Sequence, residues 1–415
     1  MNHTTHDALS RDGQPVAADG RCTFSSTEPC MSPTSKRREG FALAVAMIAI
    51  VVIGALIAGA FFTSTQEYRI GRNSLVDQRA FAAAEAGVNQ PIQGWLKQLN
   101  LSVVNGQTLP PDTLKNLPNG AFAVRRVTRL NDYTFWVVSD GYAGGTSGSL
   151  ASQHRVNAVY RLAYPKFNVL GALTVRGQVT VQGSSRIDGT DGIPPTWTTA
   201  GVCPLTGPAL PGVAAPDVTL VCSGPLCPGD DGLRLSGDPP KLQDPAAADT
   251  TTYYKYGDQN WTGLVQNADI KLPGGNYKTV PNYSGACAYS DTYNWGDPER
   301  LGPCADYFPI VYVDGDLKIQ SNSRGQGVLL VNGSIEMAGG FIFNGIVIAR
   351  NDIKSTGNGN KITGGAFAGN TYTTDNTSIS GDSEIHYSKC AIERAARGSA
   401  TVVRAKERGF AEIVQ

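Results

Sequence analysis

The chain has 415 residues, enough for two or three domains, and its 35 basic and 35 acidic residues cancel to a formal net charge of zero. That balance excludes the strongly basic character of a nucleic-acid binder, so no nucleic-acid partner is expected. Charged residues make up only 17% of the chain while glycine reaches 48 residues, which suits a turn-rich, β-rich extracytoplasmic protein better than a helical cytosolic enzyme.

Residues 1–30 carry no periodic apolar pattern. Met31 opens a short basic stretch, "MSPTSKRREG", and is expected to be the true start, with the leader ending at residue 40. From Phe41 to Phe62 the chain then runs 22 residues without a charge. As a helix this covers about 33 Å, enough to cross a hydrocarbon core of about 30 Å. A secretory signal has a shorter apolar region, roughly 7–15 residues, and a small-residue cleavage site after it. The run therefore reads as a retained transmembrane helix over 41–62. Lys36, Arg37 and Arg38 before it place that side in the cytoplasm, with the bulk of the chain in the periplasm as a single-pass inner-membrane protein.

The helix is expected to continue over 63–100. Phe81, Val88 and Trp95 recur every seven residues, as do Ile92 and Leu99. Pro91 is expected to kink it. Residues 101–119, with Pro110, Pro111 and Pro118, read as a linker.

The segment "RREGFALAVAMIAIVVIGALIAG" resembles the class III leader of type IV pilins and pseudopilins. The resemblance implies that a prepilin peptidase cuts between Gly40 and Phe41, that Phe41 becomes N-methylated, and that the helix stays as an anchor. Major pilins carry a glutamate at the fifth position after the cut, where this chain has Val45. A carboxylate inside a membrane is costly and normally paired, so its absence points away from major pilins. It points toward PilX-like minor pilins and K-type pseudopilins, which start or cap a fibre. The stretch "RNSLVDQRAFAAAEAGVNQ", with its core Ala84, Glu85, Ala86 and Gly87, is similar to the segment after the membrane helix in PilX-type proteins. The partners this implies are prepilin peptidase, major and minor pilin subunits, and the inner membrane.

Further along, "AFAVRRVTRL", "DYTFWVVSDGYAG" and "SQHRVNAVYRLAY" alternate at period two and predict a three-stranded antiparallel sheet over 120–164, with a turn at Asn131-Asp132. Then "VDGDLKI", "VNGSIEM", "ARNDIKS" and "FAGNTYT" begin at 313, 331, 349 and 367, a constant spacing of 18. A short strict period is the mark of a β-solenoid. A sandwich of meandering strands is the rival, and four evenly spaced units favour the solenoid. In the last unit Thr371 takes the place of the apolar Leu317. "VRGQVTV" fits the same template and predicts a first coil over 165–190. A Cys-rich irregular insertion over 191–306, the solenoid proper over 307–380 and a closing segment over 381–415 complete the chain. The expected fold class is α+β: a long N-terminal transmembrane and amphipathic helix, a small antiparallel sheet, then a β-solenoid-like (parallel β-helix) domain with a Cys-rich insertion.

Of the eight cysteines, Cys22 and Cys30 precede Met31; the other six suit disulfides in an exported domain. Proximity pairs Cys287 with Cys304 and Cys203 with Cys222. Cys222 and Cys227 have no nearby histidine to complete a zinc site, and neither metal nor cofactor is expected. No P-loop, HExxH, GxSxG or GxGxxG motif is present. His154 and His386 read as polar strand residues, and Asp188, Asp191, Asp314 and Asp316 as turn residues. No catalytic residue emerges, and the chain is not expected to be an enzyme.

The expected function is a minor pilin-like structural subunit that assembles or primes a type IV pilus or related fibre. The alternative is an adhesin binding an extracellular glycan or protein, since "WTTA", "YYKY" and "YNWG" place aromatic residues in loop-like sequence. A polysaccharide-active β-helix enzyme is the remote alternative. Lys318, Glu336 and Lys354 align on one solenoid face, but alternating charges there are more simply a solubility ladder.

Overall fold

The computed structural model describes residues 41–93, 95–144, 151–203, 207–223, 234–370, 376–405 and 410–413. The chain divides into two compact units, Met1–Arg69 and Ile70–Gln415.

Helix α1 (Phe41–Gln93) begins in the first unit. Its apolar side chains there are exposed, from Phe41 at 74% to Phe62 at 67%, and the helix is long and apolar enough to cross a membrane. The first polar residues after the run do not break it. The Thr63 and Thr65 hydroxyls donate to the carbonyls of Gly59 (3.0 Å) and Phe61 (2.6 Å) one turn back.

In the second unit α1 stops at Gln93, short of the expected residue 100. Pro91 has no N–H to give the Gly87 carbonyl, so the ladder fails within a turn. A separate short helix, α2 (Leu99–Ser102), follows. The expected linker then supplies a strand of its own, β1 (Asp112–Leu114), which pairs with β2 (Phe122–Asn131). β3 (Thr134–Ala143) and β4 (Ser152–Ala163) continue the antiparallel sheet. The C-terminal strands Thr401–Arg404 and Phe410–Ile413 both return to pair along β4. The sheet thus has six strands where three were expected, because its edges come from segments without clear alternation.

The chain between β4 and Thr401 is inserted into this sheet, and most of its described strands form a parallel β-solenoid. Strand register defines three faces. On the first face Ile310 aligns with Val328, and Val328 with Ile346. On the second, Leu317 aligns with Ile335, and Ile335 with Ile353. On the third, Arg324 aligns with Ile342. The 18-residue period holds through these coils. It lengthens at the last, where Ile346 aligns with Gly365 and Lys354 with Ser378. The second-face strand of that coil is therefore Asn376–Ile379, and Thr371 is not the counterpart of Leu317; it lies outside the described residues. At the corner between the third and first faces stand Gly327, Gly345 and Gly364, with φ of 107°, 140° and 144°. A Cβ on Gly345 or Gly364 would strike the carbonyl oxygen of the preceding glycine in the stack, so the period has a steric origin.

The coil order differs from the sequence order. Leu173–Val175, Gln178–Val181 and Arg186–Asp188 form the first coil, but it pairs with the last coil, at 366–368, 376–379 and 384–386. The chain enters mid-stack, and builds outward through Val213–Ala215, Val221–Ser223, Leu235–Ser236 and Lys241–Gln243. It then crosses back and restarts at the opposite end with Ile270–Tyr277. The region 191–306 is accordingly not an irregular insertion. It holds solenoid strands too short to show periodicity, and the stack resumes at Ile270 rather than residue 307. The closing segment likewise contributes the solenoid strand Asp382–Tyr387 and helix α6 (Lys389–Gly398).

Alternate residues on the strands fill the solenoid interior: Leu329, Val331, Val347, Ala349, Leu317, Ile335 and Ile353. The residues between them on the first face, Val328, Leu330, Ile346, Ile348 and Phe367, are buried too. They pack under Trp197 of α3 (Pro195–Thr199), Tyr253 of α4 (Thr250–Tyr254), Leu264 of α5 (Trp261–Gln266) and Ala391 and Ala395 of α6. Burial on both sides is why these parallel strands read as unbroken apolar runs. It also corrects the expectation for "WTTA" and "YYKY": Trp197, Tyr253 and Tyr256 are core residues, at 2% exposure or less.

Candidate functional site

Ala80, Ala83, Ala84, Gly87 and Val88 form a stripe of small buried residues on α1. Opposite them on β3 lies Gly141. A Cβ at Gly141 would collide with the Ala80 carbonyl oxygen and the Ala84 amide nitrogen. A Cβ at Gly87 would collide with Ser139 Oγ and sit 3.1 Å from the Ala123 Cβ. Helix and sheet backbones therefore meet with almost no side chain between them. Within the segment 84–87, Ala84 and Gly87 make that contact, while Glu85 and Ala86 are half-buried. Around it Phe135, Val137, Val156, Ala158 and Tyr160 pack against Phe81, Val88 and Trp95. Burial of side chains such as Val88 and Phe135 contributes about 1.5–3 kcal/mol each. The Tyr160 hydroxyl donates to the Val88 carbonyl and fixes the register.

On the other side of the sheet Asp140 is 1% exposed, between Arg155 of β4 and Arg126 of β2. Burial alone would raise the Asp140 carboxyl, but the hydrogen bonds from Arg155 and Arg126 outweigh it and hold the group below its ordinary range. Three strands are tied at this point.

His154 joins three elements. Its Nε2 lies 2.8 Å from Asp77 Oδ1 on α1, and its Nδ1 lies 2.6 Å from Glu412 Oε1 on the C-terminal strand. The Phe81 ring meets it edge-on at 5.8 Å, and Ser152 donates to Asp77 at 2.8 Å. Both nitrogens face carboxylate oxygens, and only the imidazolium can donate from both. Partial burial lowers the His154 pKa, but the two carboxylates outweigh it and the net direction is upward from 6.5. A raised folded-state value means the contact's stabilisation is fully present below the unfolded value near 6.5. It is lost as pH rises through the higher folded value. Amide exchange of Phe410–Ile413, corrected for intrinsic rates, should therefore show extra opening above that value. His154→Gln should abolish the step; a step that persists in this variant would assign it to another group.

The structure pairs Cys287 with Cys304, with Cα atoms 4.9 Å apart. Cys203 pairs not with Cys222 but with Cys390, 187 residues away, with Cα atoms 5.8 Å apart. Proximity in sequence misled here because the solenoid places the loop after its first coil beside the helix after its last. Cys222 is disulfide-bonded as well.

Of the residues expected at the leader junction, Lys36, Arg37, Arg38 and Gly40 lie outside the described residues, and Phe41 is the first described residue, in α1. Val45 is 49% exposed on that helix. His386 sits beside Glu384, with Nδ1 3.2 Å from its Oε1. The aspartates act as hydrogen-bond acceptors: Asp188 locally for Thr190 N, Asp191 for the Gly207 and Lys389 amides, Asp314 for the Asn332 side-chain amide, and Asp316 for Ser334 N. Lys318 and Glu336 pair across the second face at 2.8 Å, and Lys354 turns to Asp352. Sequence reasoning missed Gly141, Asp77, Glu412 and Cys390. An isolated glycine inside a strand pattern signals close backbone approach, so Gly141 carried a usable sign; the other three did not.

No protein-family model matches the chain, and no curated protein matches it. Among solved structures it is similar to the crystal structure of the competence-associated pilin ComZ from Thermus thermophilus. The identity is 14% over 82% of this chain and 97% of that one, with a TM-score of 0.22. A superposition that loose transfers neither fold nor function.

Proposed function

We propose that the chain is a membrane-anchored, pilin-like accessory subunit that joins or primes a type IV pilus or related fibre, and that it has no enzymatic activity. The observation that carries this reading is the junction at Gly40 and Phe41. A basic leader meets, without a spacer, a run of 22 uncharged residues on a helix that then docks through Ala84 and Gly87. In this reading prepilin peptidase removes the leader, Phe41 is N-methylated, the N-terminus faces the cytoplasm, and the bulk lies in the periplasm or on the fibre. Val45 leaves the helix without the carboxylate a repeating subunit would use, which favours a minor role with major and minor pilins as partners. Two-strand attachment suits such a role. The solenoid hangs between β4 and Thr401, so a large module is carried without disturbing the helix and sheet.

The test is fractionation of cells that make the fibre. Sheared fibres should contain the chain at a small fraction of the major subunit, and deleting its gene should reduce fibre number at least several-fold. Confinement to the membrane, with unchanged fibre number on deletion, would remove this reading.

A further inference from the structure

Residues 278–309 leave the end strand Ile270–Tyr277 and fill the third-face position of the first coil at that end of the stack. Their backbone takes hydrogen bonds from the neighbouring strand: Arg324 N to Thr279 O at 2.8 Å, Gln326 N to Trp295 O at 2.8 Å and Val328 N to Pro309 O at 3.0 Å. The loop is firmly held. Trp295 is fully buried in the solenoid interior. Cys287–Cys304 closes its middle, and Asn294, fully buried, donates to the carbonyls of Ala288 (3.0 Å) and Asn282 (3.2 Å). Gln326 Nε2 reaches the carbonyls of Ala305 and Tyr307 at 3.1 and 2.9 Å.

This loop carries five exposed large hydrophobic side chains, Val280 (44%), Tyr283 (42%), Tyr289 (42%), Tyr293 (49%) and Leu301 (76%); outside α1, the others among the described residues are scattered over 96–136. Five such side chains on one well-anchored segment make it a candidate interaction surface. The tyrosines do not merge into one greasy patch. Tyr293 rests against Tyr277 with centroids 6.2 Å apart, Tyr289 against Tyr307 at 5.0 Å, and Tyr283 against Gly302. In the same loop Asn282 donates to Asp291 at 2.5 Å. The loop thus offers supported rings and polar groups together.

We propose that this loop is a binding site for an uncharged polysaccharide. A sugar chain presents the complementary groups, C–H faces that stack on aromatic rings and hydroxyl edges that hydrogen-bond. Asp291, two residues from both Tyr289 and Tyr293, disfavours an acidic glycan. Rings already fixed by a disulfide and a buried tryptophan lose little freedom on binding, which favours affinity from a small contact. The site stands whether or not the chain joins a fibre.

The experiment uses the full-length chain in detergent micelles. The probe is a panel of neutral oligosaccharides (hexamers of β-1,4-glucose, β-1,4-N-acetylglucosamine and α-1,4-glucose, and a mannan) with polygalacturonate as the acidic comparison. At least one neutral member should bind. Affinity should fall at least tenfold in the triple variant Tyr283→Ala, Tyr289→Ala, Tyr293→Ala, and at least threefold in Tyr293→Ala alone. The single variant keeps the test valid if the triple one fails to fold. No binding to any neutral member, binding confined to polygalacturonate, or binding unchanged in Tyr293→Ala and the triple variant would each overturn the proposal.

Discussion

Replacing Gly141 with valine is expected to separate helix α1 from the sheet, at a cost on the order of 3–5 kcal/mol. The reason is that the obstruction is backbone. A Cβ at this position meets the Ala80 carbonyl and the Ala84 amide, which have no rotamer to escape to, so the helix itself has to move. Moving it uncovers Phe135, Val137 and Tyr160, now fully buried. Gly71 provides the comparison. It lies on the same helix, and a Cβ added there would meet nothing within 4 Å, so Gly71→Ala should be neutral or stabilising by up to about 1 kcal/mol. Thermal unfolding of the detergent-solubilised chain, with limited proteolysis just beyond Gln93, reads both. Equal stability of Gly141→Val and the parent would mean that the helix does not dock as described.

The second large effect belongs to Cys203–Cys390. Chain entropy alone assigns a closed loop of 187 residues about 5 kcal/mol, and the 17-residue Cys287–Cys304 loop about 3 kcal/mol. The longer link also ties the segments that follow the first and last coils. The first and last coils meet at a seam that no covalent connection crosses in order, and Cys203 and Cys390 follow those two coils. The variant Cys203→Ser, Cys390→Ser should therefore lose about 2–5 kcal/mol, more than Cys287→Ser, Cys304→Ser. Denaturant midpoints at equal m-values measure the difference. The reverse ranking would show that the seam holds by its strand pairing alone.

Much of this architecture was legible because repeated physical constraints leave repeated letters. The membrane-length run, the seven-residue spacing of Phe81, Val88 and Trp95, and the 18-residue period around Val313, Val331 and Ala349 each reflect one geometry used over and over. The same reasoning explains the misses. Val213–Ala215 and Lys241–Gln243 are three-residue strands, too short for any period to show. The mid-stack entry of the chain, and with it the Cys203–Cys390 pairing, depends on contacts between residues almost 200 positions apart. Tyr253 and Tyr256 sat in a polar context and looked exposed, yet the strap from 245 to 268 lays them on the first solenoid face. At the candidate site Ala84 and Gly87 were recognisable as a motif, but their purpose, the approach of Gly141, appears only in three dimensions.

The most direct test of the central claim is the mass of the N-terminal peptide from membrane-extracted protein, in cells with and without prepilin peptidase. The account predicts a peptide that begins at N-methylated Phe41 and disappears when the peptidase is absent. A chain that keeps residues before Gly40 in both strains would contradict it.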